Sequence, residues 1–451
     1  MTHHQPHHPH PTGGHSQGSD RGHGRRVAVV AGLRTPFLRS GGEFKDLSAV
    51  DLGALLVNEL VARSGIPLGD FDALIFGQVI PSPLSSLIAR EVVLRSELPR
   101  TLPAHTTSRA CATSIQAATE AADQIALGQA DVVIAGGAES LSDAPIFASH
   151  GLAQALVALT KARTLVDKAK VLSTLKLKDI TPVPPALKEP TTGLTMGESA
   201  QKMAWENGIA RDDQDEFAWG SHRKAALGWK EGRLAEEVMA VEVPPRFQKV
   251  AREDNNVRHD ATLEALAQLK PVFDRRYGTI TAGNSSPLTD GAAAVILASE
   301  EKARALGMKP LGYLRAYAYA ATDPGDQLLQ GPAYAAPVAL DRAGLRLADM
   351  DVVEMHEAFA AQVLSNLQAF ASRKFAEEKL GRPEPLGEID PARLNPNGGS
   401  IPLGHPFGAT GARMITQALR ELGRRKGAHA LLTVCAAGGL GAAVVLDGPD
   451  A

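Results

Sequence analysis

The sequence predicts an α/β fold built on a parallel sheet, and three observations support this. Short apolar runs alternate with helical patterns along the chain, which is the order found in βαβ units. A glycine-flanked loop, an Ala-rich helix and a buried strand occur in this order once in each half, which indicates two related domains. Of the 451 residues, 44% are apolar and 22% are charged, as in globular proteins and unlike disordered or fibrous ones.

Five elements are predicted in the first part of the chain, and a glycine follows each of them directly. Apolar runs of five residues or fewer predict buried strands, and the longer periodic segments predict helices. The strands are Val27–Ala31, Ala73–Phe76 and Asp131–Ala135, and the helices are Asp51–Ser64 and Thr113–Leu127.

The second half repeats this rhythm. The helix is expected from Thr410 to Leu422, stopped by Gly423. Apolar runs predict further strands at Ala292–Leu297, Val352–Met355, Ala430–Val434 and Ala442–Leu446.

Composition divides the chain further. Residues 1–25 hold seven of the fourteen histidines among Gly, Pro, Ser and Gln, which predicts a disordered tail with no buried core. Between 142 and 282 the strand pattern fades, which predicts an inserted loop domain. The expected domains are therefore an N-terminal one from 26–141 and 283–302, the insertion at 142–282, and a C-terminal one at 303–451.

Charge, hydropathy and cysteine content exclude several classes of protein. The net charge of −3 creates no field that attracts nucleic acid, and no apolar run reaches the roughly 18 residues of a membrane span. Two cysteines in so long a chain form no disulfide framework, which favours a reducing compartment, and we expect the cytoplasm. No phosphate-binding or dinucleotide-binding glycine motif occurs, so no nucleotide cofactor is expected.

Cys111 lies just before the predicted Ala-rich helix. Unpaired N–H groups and the positive end of the helix dipole favour a thiolate there, so the position predicts an acidic, nucleophilic thiol. The alternative is a buried structural cysteine, a common state of free Cys.

Three other positions can carry chemistry. His405 precedes the second-half helix among small residues, where it could activate a thiol or simply be held by a turn. Cys435 ends a strand before a Gly-rich turn whose amides could bind an oxyanion or only allow the chain to turn. His356 opens His-Glu-Ala-Phe-Ala, and Ala360 stands where a zinc-binding helix would need a second His, so no metal is expected.

The segment from Gly151 to Lys178 is basic and amphipathic. Six Lys and Arg residues against the single Asp167 give +5, and leucines recur near helical spacing. The pattern predicts contact with an anionic membrane surface or a partner protein, and the alternative is a solvated face over a small local core.

Taken together, these motifs resemble the thiolase family from Arg26 to Gly448. The resemblance is closest to the 3-ketoacyl-CoA thiolase (β) subunit of fatty-acid β-oxidation complexes of trifunctional type, since His356-Glu357-Ala358-Phe359 and Cys435-Ala436-Ala437-Gly438-Gly439 resemble that group. The segment after Asp143 also looks like that group's longer insertion. The stretches that carry the resemblance are the Cys111 loop, Gly136–Glu139, Met196–Ser199, Gly283–Ser286, His356–Phe359, Gly404–Arg413 and Cys435–Gly441.

The resemblance implies a thiolase-like fold: two similar domains form a five-layered αβαβα core with an inserted loop domain. It implies an acyltransferase that cleaves 3-ketoacyl-CoA with CoA as a substrate and without a cofactor, and a dimer or larger assembly. A hydratase/dehydrogenase α subunit is an implied partner. The basic segment 151–178 is expected to dock this subunit or to contact an anionic membrane surface.

The resemblance also implies residue roles. Cys111 is the nucleophile, His405 its base and Cys435 the second acid–base group. Backbone N–H groups of Cys111 and Ala437 form an oxyanion hole, and His356 holds a water near the thioester oxygen. Met196 and Ser286 are expected to contact the substrate or CoA.

Three other functions are open to such a chain. A biosynthetic acetoacetyl-CoA thiolase runs the same chemistry in reverse and differs in the range of chain lengths it accepts. A non-catalytic acyl-CoA carrier would have no need of both cysteines and both histidines. A ketoacyl synthase would pair one Cys with two His and would lack Cys435.

Overall fold

A computed structural model describes residues 24–181 and 188–451, so residues 1–23 of the predicted His-rich tail lie outside the described residues. The twelve strands of the described part are β1 Val27–Arg34, β2 Leu38–Arg39, β3 Ala73–Gly77, β4 Ala104–Thr107, β5 Val132–Glu139, β6 Val241–Val243, β7 Lys249–Ala251, β8 Thr289–Ser299, β9 Gly312–Ala321, β10 Val352–Met355, β11 His429–Ala436 and β12 Leu440–Asp447. Every strand predicted from an apolar run is among them.

Fourteen α-helices cover the same part of the chain. They are α1 Ala49–Ser64, α2 Ile88–Arg95, α3 Thr113–Ala126, α4 His150–Lys161, α5 Leu165–Ser173, α6 Met196–Glu206, α7 Arg211–Lys230, α8 Leu263–Ala267, α9 Glu300–Ala305, α10 Gly331–Ala343, α11 Ala360–Ala371, α12 Arg373–Phe375, α13 Ser400–Leu403 and α14 Thr410–Arg425. The three helices predicted from sequence are α1, α3 and α14.

The two halves of the sheet have the same topology. In the first half β3 runs parallel to β5, β5 antiparallel to β8, and β8 antiparallel to β1. In the second half β10, β11, β12 and β9 repeat these directions in the same order. The predicted duplication is therefore present as repeated topology.

The sheet is mixed, so the prediction of a parallel sheet is wrong for the strand pairs that run antiparallel. β11 passes to β12 through a turn of only three residues, Ala437–Gly439, which is too short for the crossover that a parallel pair needs. The two halves also join into one sheet, because β1 pairs with β9 over three residues at Val27–Val29.

The fold has five layers, because alternate side chains along each strand pack against helices on opposite faces of the sheet. In β3, Leu74 and Phe76 face an outer layer of α1 and α2, whereas Ala73 and Ile75 face the central layer of α3 and α14. The second half-sheet covers the other side of that central layer, and α10 and α11 cover its far face. The two site-bearing helices α3 and α14 thus lie side by side in the middle of the molecule.

The residues between 142 and 282 attach to this core through buried polar contacts. Arg34 at the end of β1 is 1% exposed, and it pairs with Glu237 at 2.8 Å and Asp254 at 2.6 Å. Within the described part of the insertion the strands are the short β6 and β7, in agreement with the fading strand pattern. β8, which follows the insertion, returns between β1 and β5 of the first half-sheet. The predicted domain limits stay predictions.

Candidate active site

Cys111 lies on a strained turn at the start of α3. Ala110 before it has φ 45°, a left-handed conformation that is costly for a residue with a Cβ. The Thr113 side chain holds the turn, since its hydroxyl donates to the Ala110 carbonyl at 2.7 Å and accepts from the Arg109 amide at 2.8 Å. The turn thus places the half-buried Cys111 two residues before the helix.

His405 reaches the same place from the second half of the chain. Its backbone N–H donates to Thr289 Oγ1 at 2.8 Å, and its ring Nδ1 lies 2.6 Å from Thr410 Oγ1. The ring is buried, and its Nε2 has no hydrogen-bond partner among the described residues. Burial, and secondarily the positive charge of Arg413, lower the pKa of His405 to about 3, so the resting ring is neutral.

His356 follows β10 and lies beside His405. The two ring centroids are 4.1 Å apart, and the His356 side chain is fully buried. Its Nδ1 lies 2.8 Å from Ser400 Oγ, and its Nε2 is again without a partner in the described part of the chain. Burial lowers the pKa of His356 well below the usual value, with smaller contributions from His405 and Arg413.

The two histidines and Cys111 form one cluster. The Cys111 sulfur and a ring nitrogen of each His all lie within 4.8 Å of one another. The structure therefore brings together three of the four side chains predicted to be catalytic, from positions as far apart in sequence as 111 and 405. Because one thiol and two imidazoles could also coordinate an ion such as Zn²⁺, the expectation of no metal stays a prediction.

The prediction of an acidic Cys111 thiol is wrong for the resting protein. Burial raises its pKa to about 12, although the backbone N–H groups of Ala437 and of Cys111 itself act in the opposite direction. The loss of water around the sulfur thus outweighs these two backbone N–H groups. The resting thiol is therefore protonated, and a thiolate forms there when a neighbouring base takes its proton.

Cys435 is the second-to-last residue of β11 and is fully buried in an apolar cluster. Burial raises its pKa well above the usual value of a thiol, and the nearby Cys111 adds to the effect. The turn that follows it directs the Ala437 N–H at the Cys111 sulfur. The backbone N–H groups of Cys111 and Ala437 are the two donors predicted for an oxyanion hole. Both are therefore directed at the Cys111 sulfur.

The turn after Cys435 is held from both sides. On one side Thr322, which follows β9, donates its backbone N–H and its hydroxyl to the Gly439 carbonyl at 2.8 and 3.1 Å. On the other side the Gly438 N–H donates to the carboxylate of Glu189 at 2.9 Å. Glu189 comes from the insertion and is only 7% exposed. Sequence reasoning missed it, since a single acidic residue in a loop gives no motif.

We expect Glu189→Ala to lower kcat about tenfold, because the loop that presents the Ala437 N–H loses one of its two attachments. Glu189→Gln keeps an oxygen acceptor for Gly438 and should retain most activity. Glu264→Ala removes an exposed carboxylate elsewhere on the insertion and serves as the control. Steady-state kinetics and thermal melting of the three variants check this, and a wild-type kcat in Glu189→Ala would contradict it.

The predicted substrate-contact residues adjoin the same site. Met196 begins α6 and, like Phe359, packs against the apolar cluster that contains Cys435 and Ala358. The backbone N–H of Ser286 donates to the Ala358 carbonyl at 3.0 Å. The structure thus places both residues next to the segment that carries His356, and their contacts with substrate stay predictions.

The two halves of the site are joined where backbones meet closely. A Cβ on Gly137 would lie 2.1 Å from the Gly408 carbonyl oxygen, so only glycine permits this approach. The buried Glu139 carboxylate accepts the Gly408 N–H at 3.0 Å together with the amides of Val79 and Ile80. These contacts fix the loop of His405 on the end of β5, beside the turn of Cys111.

Comparisons with known proteins agree with this architecture. Residues 27–301 match the family described as Thiolase, N-terminal domain, and residues 308–448 match Thiolase, C-terminal domain. A 3-ketoacyl-CoA thiolase of Yersinia enterocolitica is 53% identical over 424 residues, which cover 94% of this chain and 97% of the relative. A 3-ketoacyl-CoA thiolase of Yersinia pestis matches with the same identity and coverage.

Solved structures match at lower identity. The Bacillus anthracis acetyl-CoA acetyltransferase superposes with a TM-score of 0.79 and is 32% identical, covering 94% of this chain and 99% of that one. Human mitochondrial 3-ketoacyl-CoA thiolase gives a TM-score of 0.78 at 32% identity with the same coverage. The same human protein has been solved in complex with CoA and gives 0.78 at 31% identity, covering 94% of this chain and 98% of that one.

Proposed function

The chain belongs to the thiolase family, and from that premise we propose that it is a 3-ketoacyl-CoA thiolase of fatty-acid β-oxidation. It cleaves a 3-ketoacyl-CoA with CoA to give acetyl-CoA and a shortened acyl-CoA. The curated relatives that are 53% identical over 94% of the chain are 3-ketoacyl-CoA thiolases. The observation that carries the proposal is the meeting of Cys111, His405 and His356, with the Ala437 N–H directed at the Cys111 sulfur and with Cys435 near enough to Cys111 for the two thiols to interact.

In the first half-reaction Cys111 is the nucleophile. As its sulfur adds to the 3-keto carbon, its proton passes to the unpartnered Nε2 of His405. The backbone N–H groups of Cys111 and Ala437 stabilise the tetrahedral oxyanion. The bond between C2 and C3 then breaks, which leaves an acyl group on Cys111 and the enolate of acetyl-CoA.

Cys435 is the general acid that protonates C2 of the enolate and then the general base for CoA. Its thiol, kept protonated by burial, gives its proton to the enolate, and acetyl-CoA leaves. The Cys435 thiolate then takes the proton of the incoming CoA thiol, whose sulfur attacks the acyl group on Cys111. His405 returns its proton to the Cys111 sulfur, so the enzyme is restored.

The acetyl-CoA acetyltransferase of Bacillus anthracis has nearly the same fold, which favours biosynthetic acetoacetyl-CoA thiolase as the second candidate function. Both functions use the same residues, so the substrate range separates them. The test is acetyl-CoA release from 3-ketoacyl-CoA substrates of increasing chain length. Turnover of long chains supports the proposal, and activity confined to acetoacetyl-CoA would favour the second candidate.

We also propose that CoA is a substrate and that no cofactor takes part, since thiol and imidazole groups supply every proton transfer above. We propose in addition that the protein forms the dimer or larger assembly that the resemblance implies. Both cysteines are free, and their roles require reduced thiols, which favours the cytoplasm. In the described part of the chain no helix has the length and apolar character needed to cross a membrane.

For the segment 151–178 we propose docking to a hydratase/dehydrogenase subunit or an anionic membrane surface. Helices α4 and α5 cover most of it, and in these two helices Ala155 is the buried residue. Large apolar side chains are mostly exposed, such as Leu165 at 84%, Val166 at 75% and Leu177 at 87%. The exposed leucines argue against a local core as the reason for the amphipathic pattern.

The six basic residues of the segment test this docking. Replacing all of them with Gln should abolish co-purification with the partner subunit, vesicle binding, or both, at low salt, because each charge near an anionic bilayer contributes about 1 kcal/mol. The KM for CoA should change little. The replaced residues are Lys161, Arg163, Lys168, Lys170, Lys176 and Lys178.

A control variant replaces three exposed lysines elsewhere, Lys45, Lys309 and Lys374, and should bind as the wild type does. If the associations persist in the sixfold variant and the KM for CoA rises strongly, the segment belongs to the substrate site and the docking proposal is wrong.

A further inference from the structure

We propose that Ser400 is a positioning residue that fixes the proton of His356 on Nε2, so that the ring presents an N–H donor to the reacting thioester. The proposal rests on the function proposed above, and it assigns the two neighbouring histidines opposite tautomers. His405 is then the proton acceptor of the pair and His356 the hydrogen-bond donor.

The assignment follows from counting the protons around Ser400 Oγ. This oxygen has two partners among the described residues, Nδ1 of His356 at 2.8 Å and Nη2 of Arg413 at 3.0 Å. A guanidinium can only donate, so Arg413 occupies a lone pair of the oxygen. The hydroxyl proton is then left for Nδ1 of His356, which must accept it, and the ring proton resides on Nε2.

The opposite tautomer leaves a buried group unsatisfied. If Nδ1 of His356 donated to Ser400, the oxygen would accept twice and its own proton would have no acceptor. Ser400 is fully buried, where an unpaired hydroxyl donor is unfavourable. Nε2 of His356 would then also lack the proton needed to donate to a substrate oxygen.

His405 shows the reverse arrangement. The Thr410 hydroxyl donates to the Pro406 carbonyl at 3.1 Å, and so it accepts from Nδ1 of His405 at 2.6 Å. Nε2 of His405 therefore carries a lone pair, as a base for Cys111 requires. The Ser400 hydroxyl thus donates to the His356 ring, whereas the Thr410 hydroxyl accepts from the His405 ring. The two rings therefore carry their protons on different nitrogens, even though their centroids are only 4.1 Å apart and both rings are neutral at rest.

The network behind Ser400 keeps this arrangement in place. Arg413 is 1% exposed, and Glu354 and Gln417 lie 3.4 and 3.2 Å from its Nη1. Because these groups hold the guanidinium, its Nη2 remains directed at Ser400. His356 can thus provide a fixed donor in the way that a side-chain amide does.

Neutron diffraction of deuterium-exchanged wild-type crystals tests the tautomers without reference to turnover. We expect deuterium on Nε2 of His356, on Nδ1 of His405 and on Ser400 Oγ toward Nδ1 of His356. Deuterium on Nδ1 of His356 would overturn the proposal, even if the enzyme proves to be a thiolase. Failure of the thiolase assay with the expected tautomers would instead overturn the proposed function alone.

A double-mutant cycle tests the consequence for catalysis. Ser400→Ala should lower kcat about tenfold or more with a small change in KM, since one donor to the thioester oxygen is no longer fixed. His356→Gln carries an amide donor that needs no tautomer, so adding Ser400→Ala to it should change kcat less than about twofold. An equal loss in both backgrounds would show that Ser400 acts only on packing and would overturn the proposal.

Discussion

Replacing Cys111 with Ala should abolish thiolysis while leaving the fold intact. The side chain supplies the only bond between enzyme and acyl group in the proposed mechanism. Removing a covalent nucleophile lowers kcat by orders of magnitude, and we expect a loss of at least about 10⁴-fold. Measuring acetyl-CoA release from a 3-ketoacyl-CoA with the purified variant checks this.

The structure explains why the fold should survive this substitution. Cys111 is half-buried at the edge of the central layer, so a change to Ala removes one sulfur atom and leaves little cavity. The strained Ala110 turn is held by Thr113 and does not depend on the thiol. The melting temperature should therefore stay within a few degrees of the wild type. A variant that keeps a substantial fraction of wild-type kcat would exclude Cys111 as the nucleophile.

Replacing Cys435 with Ser should separate the two half-reactions. Ser fits the space of Cys but is a far weaker acid, so the enolate loses its proton donor. Cleavage of the carbon–carbon bond should fall by about 10²–10⁴-fold, the usual contribution of a general acid or base. Acylation of Cys111 from a simple acyl-CoA needs no proton at C2 and should partly survive.

Two assays on one preparation measure this separation. Acetyl-CoA release from a 3-ketoacyl-CoA reports the cleavage, and mass spectrometry after incubation with an acyl-CoA reports the acylation. Cys435→Ala removes the same proton and should show the same selective defect, which makes it a control for the residual acidity of Ser. Equal losses in both half-reactions would contradict the division of labour between Cys111 and Cys435.

Elements with strong local signals were predictable from the sequence. Strands such as β3 and β5 contain apolar runs followed by glycine. Helices such as α3 and α14 have helical spacing, with Gly128 two residues after the end of α3 and Gly423 two residues before the end of α14. The strand β9 was missed, since its sequence GYLRAYAYAA mixes aromatic, Ala and Arg residues instead of forming one apolar run. The helix α10 was missed because Pro332 and Pro337 interrupt its pattern, although the first lies in the opening turn.

The site residues that lie in a short sequence motif were predictable. Those that join the site only through contacts with residues distant in sequence were not. Cys111, His405, Cys435 and His356 each lie in a short motif next to a predicted element. Ser400, Thr410 and Glu189 are single polar residues whose partners lie elsewhere in the fold. The pKa of Cys111 shows the same limit, because the helix dipole acts locally while desolvation depends on everything that surrounds the sulfur.

The most direct test of the proposed thiolase function is mass spectrometry of the wild-type protein after incubation with a 3-ketoacyl-CoA in the absence of free CoA. We expect one acyl group, two carbons shorter than the substrate, in thioester linkage to the peptide that contains Cys111. One equivalent of acetyl-CoA should be released for each acylated chain. An acyl group on Cys435 instead, or no acetyl-CoA release, would contradict the proposed mechanism.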